Sequence, residues 1–217
     1  MYRLFQKGRE PFSSYSHFLG AVGSGIGLLI ILFHCLINQD VTVKTAISTL
    51  LFCLSLIALY TSSSVYHFSL QGEEILLKLK KLDHAMIYIL IAGSYTPVIL
   101  KYMPEPRSFM FLGIIWLIAI LGIVVKLLWI NAPRFIGTIL YLGLGWAILA
   151  DVQVLLSMPT LAIILLAAGG ISYTIGGVIY ILKWPNPSKT VGFHELFHIF
   201  VLGGSLFHFL MVYLFVI

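Results

Sequence analysis

Residues 18–38 read FLGAVGSGIGLLIILFHCLIN, a run that holds no lysine, arginine, aspartate or glutamate. A helix needs about 20 predominantly apolar residues to cross the hydrocarbon core of a bilayer, so this run predicts a membrane span. Similar runs follow at about 46–68, 83–101, 108–128, 134–152, 160–182 and 194–216. The sequence therefore predicts an all-α polytopic membrane protein, a bundle of seven transmembrane helices.

The composition supports the same fold class. Of the 217 residues, 60% are hydrophobic and 10% are charged, whereas soluble domains average about 45–50% and about 25%. The spans use most of the chain, and no connection is long enough for a second domain. Residues 1–217 are therefore predicted to form a single seven-transmembrane domain. The first apolar run is expected to serve as its own insertion signal.

Basic residues are distributed unevenly between alternate connections. One set comprises the N-terminal segment and every second loop, and it holds Arg3, Lys7, Arg9, Lys78, Lys80, Lys81, Lys126, Arg134, Lys183 and Lys189. The other set holds only Lys44, Lys101 and Arg107. Because cytoplasmic loops collect lysine and arginine, this asymmetry predicts a cytoplasmic N-terminus and, with seven spans, an external C-terminus. It also explains the net charge of +5 without a nucleic-acid partner.

The last span opens with an H-E-x-x-H motif, His194-Glu195-Leu196-Phe197-His198. Two histidines four residues apart lie on one face of a helix, and they form a ready pair of ligands for Zn²⁺. Ionisable residues at the edge of a membrane span are costly and usually mark a functional site. A short motif also recurs by chance, so the rest of the chain must supply a third ligand.

The predicted topology brings further polar residues to the same membrane face. His67 closes the second span, and Asp83 opens the third. His67, His194 and His198 are therefore predicted metal ligands, since three protein ligands and a water form the usual catalytic zinc site. Zinc lowers the pKa of its water to about 7, and Asp83 is predicted to accept or hold the proton. Ser63, one turn before His67, is either a donor to the site or a hydroxyl bonded back to its own helix.

The other histidines differ in depth and direction. His34 lies at the outer end of the first span, and His208 lies about 15 Å from His198 along the helix axis. His84 is turned about 100° from the preceding aspartate around its helix. These three are expected to be interfacial or structural. His17 lies at the correct membrane face and is a candidate to support the ligands.

Four patterns in this chain resemble those of the bacterial hemolysin III proteins, within the progesterone and adiponectin receptor (PAQR) family. The family patterns are E-x-x-N-x-x-x-H, S-x-x-x-H, an aspartate at the start of the third span, and H-x-x-x-H at the start of the seventh. Here they correspond to Glu10 to His17, Ser63 to His67, Asp83, and His194 with His198; Ser13 replaces the asparagine. The resemblance covers essentially all seven spans and implies a location in the bacterial plasma membrane.

The resemblance also has implications for the site. It implies a zinc ion held by the three histidines near the cytoplasmic face, with the aspartate holding a water. It further implies kinship with alkaline ceramidases, which hydrolyse lipid amides. Receptor members of the family carry glutamine where this chain has Glu195, so this glutamate need not act as the base. Glu10, His17 and Glu195 are therefore candidates for supporting roles around the ligands.

Several functions agree with these residues. The leading hypothesis is an intramembrane zinc-dependent hydrolase of a lipid amide or ester, with membrane lipids as substrate and partners. The second is a membrane-homeostasis sensor with structural zinc; an open fourth coordination position favours the enzyme, and a closed one favours the sensor. The third is a cytolysin, although no span carries the polar stripe that a water-filled channel needs. A site-2-type protease is disfavoured because no acidic residue follows Glu195.

Overall fold

A computed structural model describes residues 2–188 and 190–217, which form nine α-helices and one 3-10 helix. The α-helices are α1 (Tyr2–Phe5), α2 (Pro11–Ile37), α3 (Val43–Phe68), α4 (Glu73–Tyr102), α5 (Arg107–Leu128), α6 (Arg134–Gly145), α7 (Val152–Leu156), α8 (Thr160–Leu182) and α9 (Phe193–Phe215). No β-strand occurs in these two ranges, so the predicted all-α class is confirmed. Lys189, one of the residues behind the predicted topology, lies outside the described residues.

Within the described part of the chain, six helices are long and apolar enough to cross a membrane: α2, α3, α4, α5, α8 and α9. They overlap the first four predicted spans and the last two, and the chain is a multi-pass membrane protein. The largest difference is at the third span, predicted from residue 83, because α4 already begins at Glu73. Glu73 and Glu74 occupy its first turn, where the helix dipole favours negative charge, and Lys78 donates a 2.6 Å hydrogen bond to Glu74.

The predicted fifth span, 134–152, is not one continuous helix. The α6 helix ends at Gly145, a 3-10 helix follows at Ala147–Ala150, and α7 is a single short turn of helix. The prediction of an unbroken helix was wrong here, although the helical path continues to Leu156. Gly143 and Gly145 lower the helix propensity of this stretch, so the break falls where the helix is weakest.

One side chain of α4 forms hydrogen bonds with the peptide groups at the break after α6. The Tyr95 hydroxyl, in a side chain only 6% exposed, donates toward the carbonyl oxygens of Leu144 at 3.0 Å and Gly145 at 2.7 Å. It also accepts a 3.0 Å hydrogen bond from the amide of Ile148. Peptide groups in hydrocarbon must find such partners because water is absent there. Tyr95 therefore stabilises a break that the fold would otherwise not tolerate.

We expect Tyr95→Phe to destabilise the fold, because it leaves the peptide groups at the α6 break without their partner. The expected cost is about 1–3 kcal/mol, the desolvation penalty of unsatisfied buried groups. Thermal unfolding of the detergent-purified protein measures it. Tyr88→Phe is the matched control, since the buried Tyr88 hydroxyl on the same helix has no hydrogen-bond partner among the described residues. Equal effects of the two variants would contradict the role assigned to Tyr95.

The helices pack so that four chain segments meet at one end of the bundle. The α2 helix packs against α3 and α9, α3 against α4, α4 against α5, and α8 against α9, while α6 bridges α5 and α8. The α4 helix also contacts α6 and α9 and buries the largest share of its apolar span. The starts of α2, α4 and α9 and the end of α3 thus lie at the same end.

The orientation in the membrane remains a prediction from the charge distribution. The end at which α2 begins is expected to be cytoplasmic, with the C-terminus outside, because basic residues concentrate in loops that stay inside. Fusions of a cytoplasm-active and a periplasm-active reporter to each terminus test this. A C-terminal fusion that is active only in the cytoplasm would contradict the orientation, because it would require an even number of crossings.

Candidate metal centre

Three histidines from two helices converge at this end of the bundle. His67 lies in the last turn of α3, and His194 and His198 lie in the first turns of α9. One ring nitrogen from each can be chosen so that all lie within 4.8 Å of one another. His67 is 1% and His198 2% exposed. The convergence predicted from topology is thus present in the structure, and the triad has the geometry of a metal site.

Glu10 orients the imidazole of His67. Its carboxylate accepts a 2.6 Å hydrogen bond from His67 Nδ1, and Arg9 donates to its other oxygen at 3.1 Å. Burial opposes the charge of Glu10, but the hydrogen bond with His67 and the Arg9 guanidinium favour it, and the pKa of Glu10 is lowered from 4.5 to about 2. A carboxylate can only accept, so the proton resides on Nδ1, and the lone pair of Nε2 is left for a ligand.

Main-chain and serine contacts fix Glu10 at this position. The Glu10 amide donates to the carbonyl oxygen of His67 at 3.0 Å, which ties the start of α2 to the end of α3. One turn further, Ser14 and Ser64 each donate a 2.9 Å hydrogen bond to the other's carbonyl oxygen. This reciprocal pair lets the two helices approach closely next to the triad.

Glu195, the acidic residue of H-E-x-x-H, is engaged in holding the start of α9. One of its carboxylate oxygens accepts from the Gly192 amide at 2.9 Å, and the other accepts from the Ser13 hydroxyl at 3.1 Å. It therefore caps its own helix and joins α9 to α2. Ser13, which departs from the family pattern, supplies the hydroxyl for that contact.

His17 stacks on His198. Their ring centroids are 3.7 Å apart, with an interplanar angle of 10°. Both nitrogens of His17 and Nδ1 of His198 are buried and have no hydrogen-bond partner within the described part of the chain. The stacking fixes the plane of the His198 ring. Unpartnered buried nitrogens beside a triad call for an ion or a water.

Asp83 is the carboxylate that stays available near the triad. It is buried in the first half of α4, and no hydrogen bond joins it to any described residue; its nearest ionisable contact is His84 Nδ1 at 3.8 Å. That nitrogen already lies 2.8 Å from the Lys80 carbonyl oxygen, to which it donates. Since Glu10 and Glu195 are both engaged, Asp83 differs from them in being free to interact with a bound molecule.

Ser63 also stays free of the helix backbone. Its neighbours Ser62 and Ser64 donate to the carbonyl oxygens of Leu59 and Ser14, both at 2.9 Å. Ser63 is 2% exposed and lines the same cavity as the triad, with no hydrogen bond to a described residue. Of the two alternatives left open by the sequence, bonding back to its own helix describes Ser62, whereas no such hydrogen bond joins Ser63 to a described residue.

A cavity of about 700 Å³ runs into the bundle from the triad. At one end it is lined by His67, His194, His198, Asp83 and Ser63. Its deeper wall is mostly apolar and includes Leu90, Val98, Leu155, Ile163 and Leu166. Its volume and its mostly apolar lining are typical of a small-molecule site.

The donor set fits a metal ion. His194 Nε2 and His198 Nε2 are 3.0 Å apart, close to the separation of two nitrogens that bind one ion at about 2.0–2.1 Å each. Neutral imidazole suits zinc and several other transition metals. The cavity lies against the triad, so a fourth position would face a bound molecule.

Sequence reasoning missed three residues that line the end of the cavity nearest the triad, an end called its mouth below. Lys126, Arg134 and Tyr180 line it near the triad. The Tyr180 ring lies 6.0 Å from the His194 ring between centroids, and the Arg134 guanidinium lies 5.2 Å from the Tyr180 ring. The sequence did contain one signal for these residues, because Lys126 is a charged residue within the apolar run 108–128, and such residues usually mark a functional site.

The fold and the site define a class of protein: a multi-pass membrane protein with a buried histidine triad at one end of its helix bundle. Residues 5–209 match the family described as haemolysin-III related, and the chain belongs to that family.

Named relatives span most of the chain. It is similar to Hemolysin-3 of Bacillus cereus, with 33% identity over 211 residues that cover 96% of this chain and 92% of the relative. The Hemolysin-3 homolog of Bacillus subtilis (strain 168) is 36% identical over 160 residues, which cover 73% of this chain and 72% of the relative. Heptahelical transmembrane protein 5 of Arabidopsis thaliana is 30% identical over 176 residues, or 71% of this chain and 46% of the plant protein.

We expect Glu10→Gln to weaken metal binding about 10–100-fold, the usual effect of losing the partner of a ligating histidine. Glutamine preserves the size of the side chain but removes the charge that fixes the His67 tautomer. Competition with a chelator of known affinity, applied to the purified protein, measures the change. Glu195→Gln is the control, because a glutamine oxygen can still accept one of the hydrogen bonds that hold the start of α9. An unchanged affinity in Glu10→Gln would contradict the orienting role.

Proposed function

We propose that this protein is an intramembrane, zinc-dependent hydrolase of a lipid amide or ester. The observation that carries the proposal is the cavity, which joins the histidine triad and Asp83 to a mostly apolar interior. A molecule with a polar linkage and a long apolar chain matches that distribution, because each part meets a wall of its own polarity. Membrane lipids have this form and surround the protein.

The chain's own residues have distinct roles in this proposal. Zinc held by the triad would polarise the substrate carbonyl and make a water nucleophilic at neutral pH. Asp83, free of hydrogen bonds to described residues, accepts the proton of the attacking water and returns it to the leaving group. Ser63 donates to the carbonyl oxygen as negative charge develops on it. Glu10 keeps the His67 ring in the tautomer that leaves Nε2 free.

The proposal favours turnover over a purely structural metal. Structural zinc sites are closed by four protein ligands, whereas catalytic sites have three and keep a position for water. The described residues supply three histidines, and the cavity lies beside them. A sensor with structural zinc is the alternative if no lipid is hydrolysed.

The names of the Bacillus relatives raise the alternative of direct membrane lysis. A water-filled pore needs a polar stripe along its walls. The deeper wall of the cavity is mostly apolar, which favours a lipid chain over a column of water. We therefore propose the enzyme and not a pore-forming cytolysin.

The test is release of fatty acid from a panel of lipid amides and esters by detergent-purified protein loaded with zinc. We expect release from at least one amide or ester class, and no release after the zinc is removed with a chelator. If the protein, with zinc at full occupancy, hydrolyses none of these lipids, the proposed hydrolase function is wrong. The result would then favour a sensor with structural zinc.

A further inference from the structure

A buried lysine lines the mouth of the cavity, and no carboxylate of the described residues forms an ion pair with it. Lys126, in the last turn of α5, is 6% exposed. No carboxylate of the described residues lies within 4.0 Å of its ammonium, although Lys44, Lys78, Arg9 and Arg107 all form ion pairs. A buried ammonium is costly in a membrane protein unless a negative group compensates it.

The fold makes room for this ammonium. A Cβ atom on Gly137 of α6 would lie 2.6 Å from Lys126 Nζ, so a larger residue at this position would require the ammonium to move. The Tyr141 ring lies 5.8 Å from Nζ between nitrogen and ring centroid, within the range of a cation–π contact. Lys126 lines the cavity along with both of these residues. The lysine is thus accommodated at the cavity wall.

Two further cations line the same mouth. Lys80 of α4 lines the same cavity as Lys126. Arg134, at the first position of α6, lies over the rings of Tyr180 and Phe193, at 5.2 and 5.5 Å from their centroids. Within the described residues, Asp83 is the uncommitted carboxylate on this part of the wall, so the mouth carries a net positive charge.

We propose that Lys80, Lys126 and Arg134 bind the phosphate of an anionic lipid headgroup whose acyl chain occupies the apolar part of the cavity. All three line the same cavity; lysine and arginine donate charge-assisted hydrogen bonds to phosphate oxygens, and Arg134 can bind two oxygens at once. The Tyr180 ring lies 5.2 Å from the Arg134 guanidinium and 6.0 Å from the His194 ring, so a phosphate at Arg134 leaves the lipid linkage near the triad. The inference rests on the proposed function only in treating the bound lipid as a substrate, and it narrows that substrate to anionic lipids that carry a phosphate.

Thermal unfolding in neutral detergent tests the site without requiring turnover. Dioleoyl phosphatidylglycerol is expected to raise the Tm of the zinc-loaded protein, whereas dioleoyl phosphatidylcholine and inorganic phosphate are expected to raise it far less. Lys126→Met is expected to bind phosphatidylglycerol about ten-fold more weakly, which corresponds to one lost charge-assisted hydrogen bond. Without lipid, its Tm is expected to equal or exceed that of the parent, because methionine fills similar space without a buried charge.

Lys78→Met is the matched control. Lys78 lies on the same helix as Lys80 but pairs with Glu74 and does not line the cavity, so its variant is expected to respond to phosphatidylglycerol as the parent does. The site would be overturned if phosphatidylglycerol raised the Tm of Lys126→Met as much as that of the parent. It would also be overturned if Lys78→Met lost as much of this rise as Lys126→Met. Equal protection by inorganic phosphate would overturn the lipid headgroup as its ligand. Lipid binding without hydrolysis would contradict only the proposed function.

Discussion

Asp83→Asn is expected to reduce lipid hydrolysis about 10²–10⁴-fold, the usual contribution of a general base, while the protein retains its zinc. Asparagine keeps the size of the side chain and can still hydrogen-bond, but it cannot take a proton. The triad is unaffected because Asp83 makes no hydrogen bond to it. Fatty-acid release and metal content measured on the same preparation separate the two effects.

Glu195→Gln is the matched control for Asp83→Asn. Both Glu195 oxygens are occupied by Gly192 and Ser13, so this residue is not free to move a proton. Its variant is expected to lose some stability at the start of α9 and to keep most of its turnover. If Glu195→Gln abolishes turnover and Asp83→Asn does not, Asp83 is not the general base. That result would favour the site-2-type protease.

Alanine replacement of His67, His194 or His198 is expected to produce the other large effect. Each variant removes one of three ligands, so zinc occupancy after gel filtration should fall to a small fraction of the parent's and turnover should be lost with it. Metal analysis by mass spectrometry measures the occupancy. Tm should also fall, because a metal bound by the folded state stabilises it.

His208→Ala is the control for the histidine variants. His208 is on the same helix as His198 and lines the same cavity, but it contacts the Leu166 carbonyl oxygen at 3.2 Å and not the triad. Its variant should keep full zinc occupancy. Retention of zinc in all three triad variants, or its loss in His208→Ala, would contradict the assigned ligands.

The fold and the meeting of the three histidines were predictable because both depend on patterns within the chain. Apolar runs mark spans, basic loops fix their direction, and direction alone brings the end of α3 and the start of α9 to one face. The four-residue spacing of His194 and His198 then fixes their common helix face. None of these steps requires knowledge of side-chain packing.

The remaining features depend on contacts between residues distant in sequence. The break in α6 is stabilised by Tyr95, about 50 residues away. The hydrogen bond from Ser13 to Glu195 joins the starts of α2 and α9 across a sequence separation of 182. The pairing of Glu10 with His67 and the space that Gly137 leaves for Lys126 likewise appear only once the helices are packed. Sequence periodicity carries no information about such pairs.

We propose that the triad holds a zinc ion with one coordination position open to the cavity. X-ray absorption at the zinc edge, on the purified protein with its metal content measured, tests this most directly. We expect about one zinc per chain, with three imidazole nitrogens and one oxygen at about 2.0–2.1 Å. A spectrum with four protein ligands, or a protein that stays folded and fully active with no bound zinc, would contradict it.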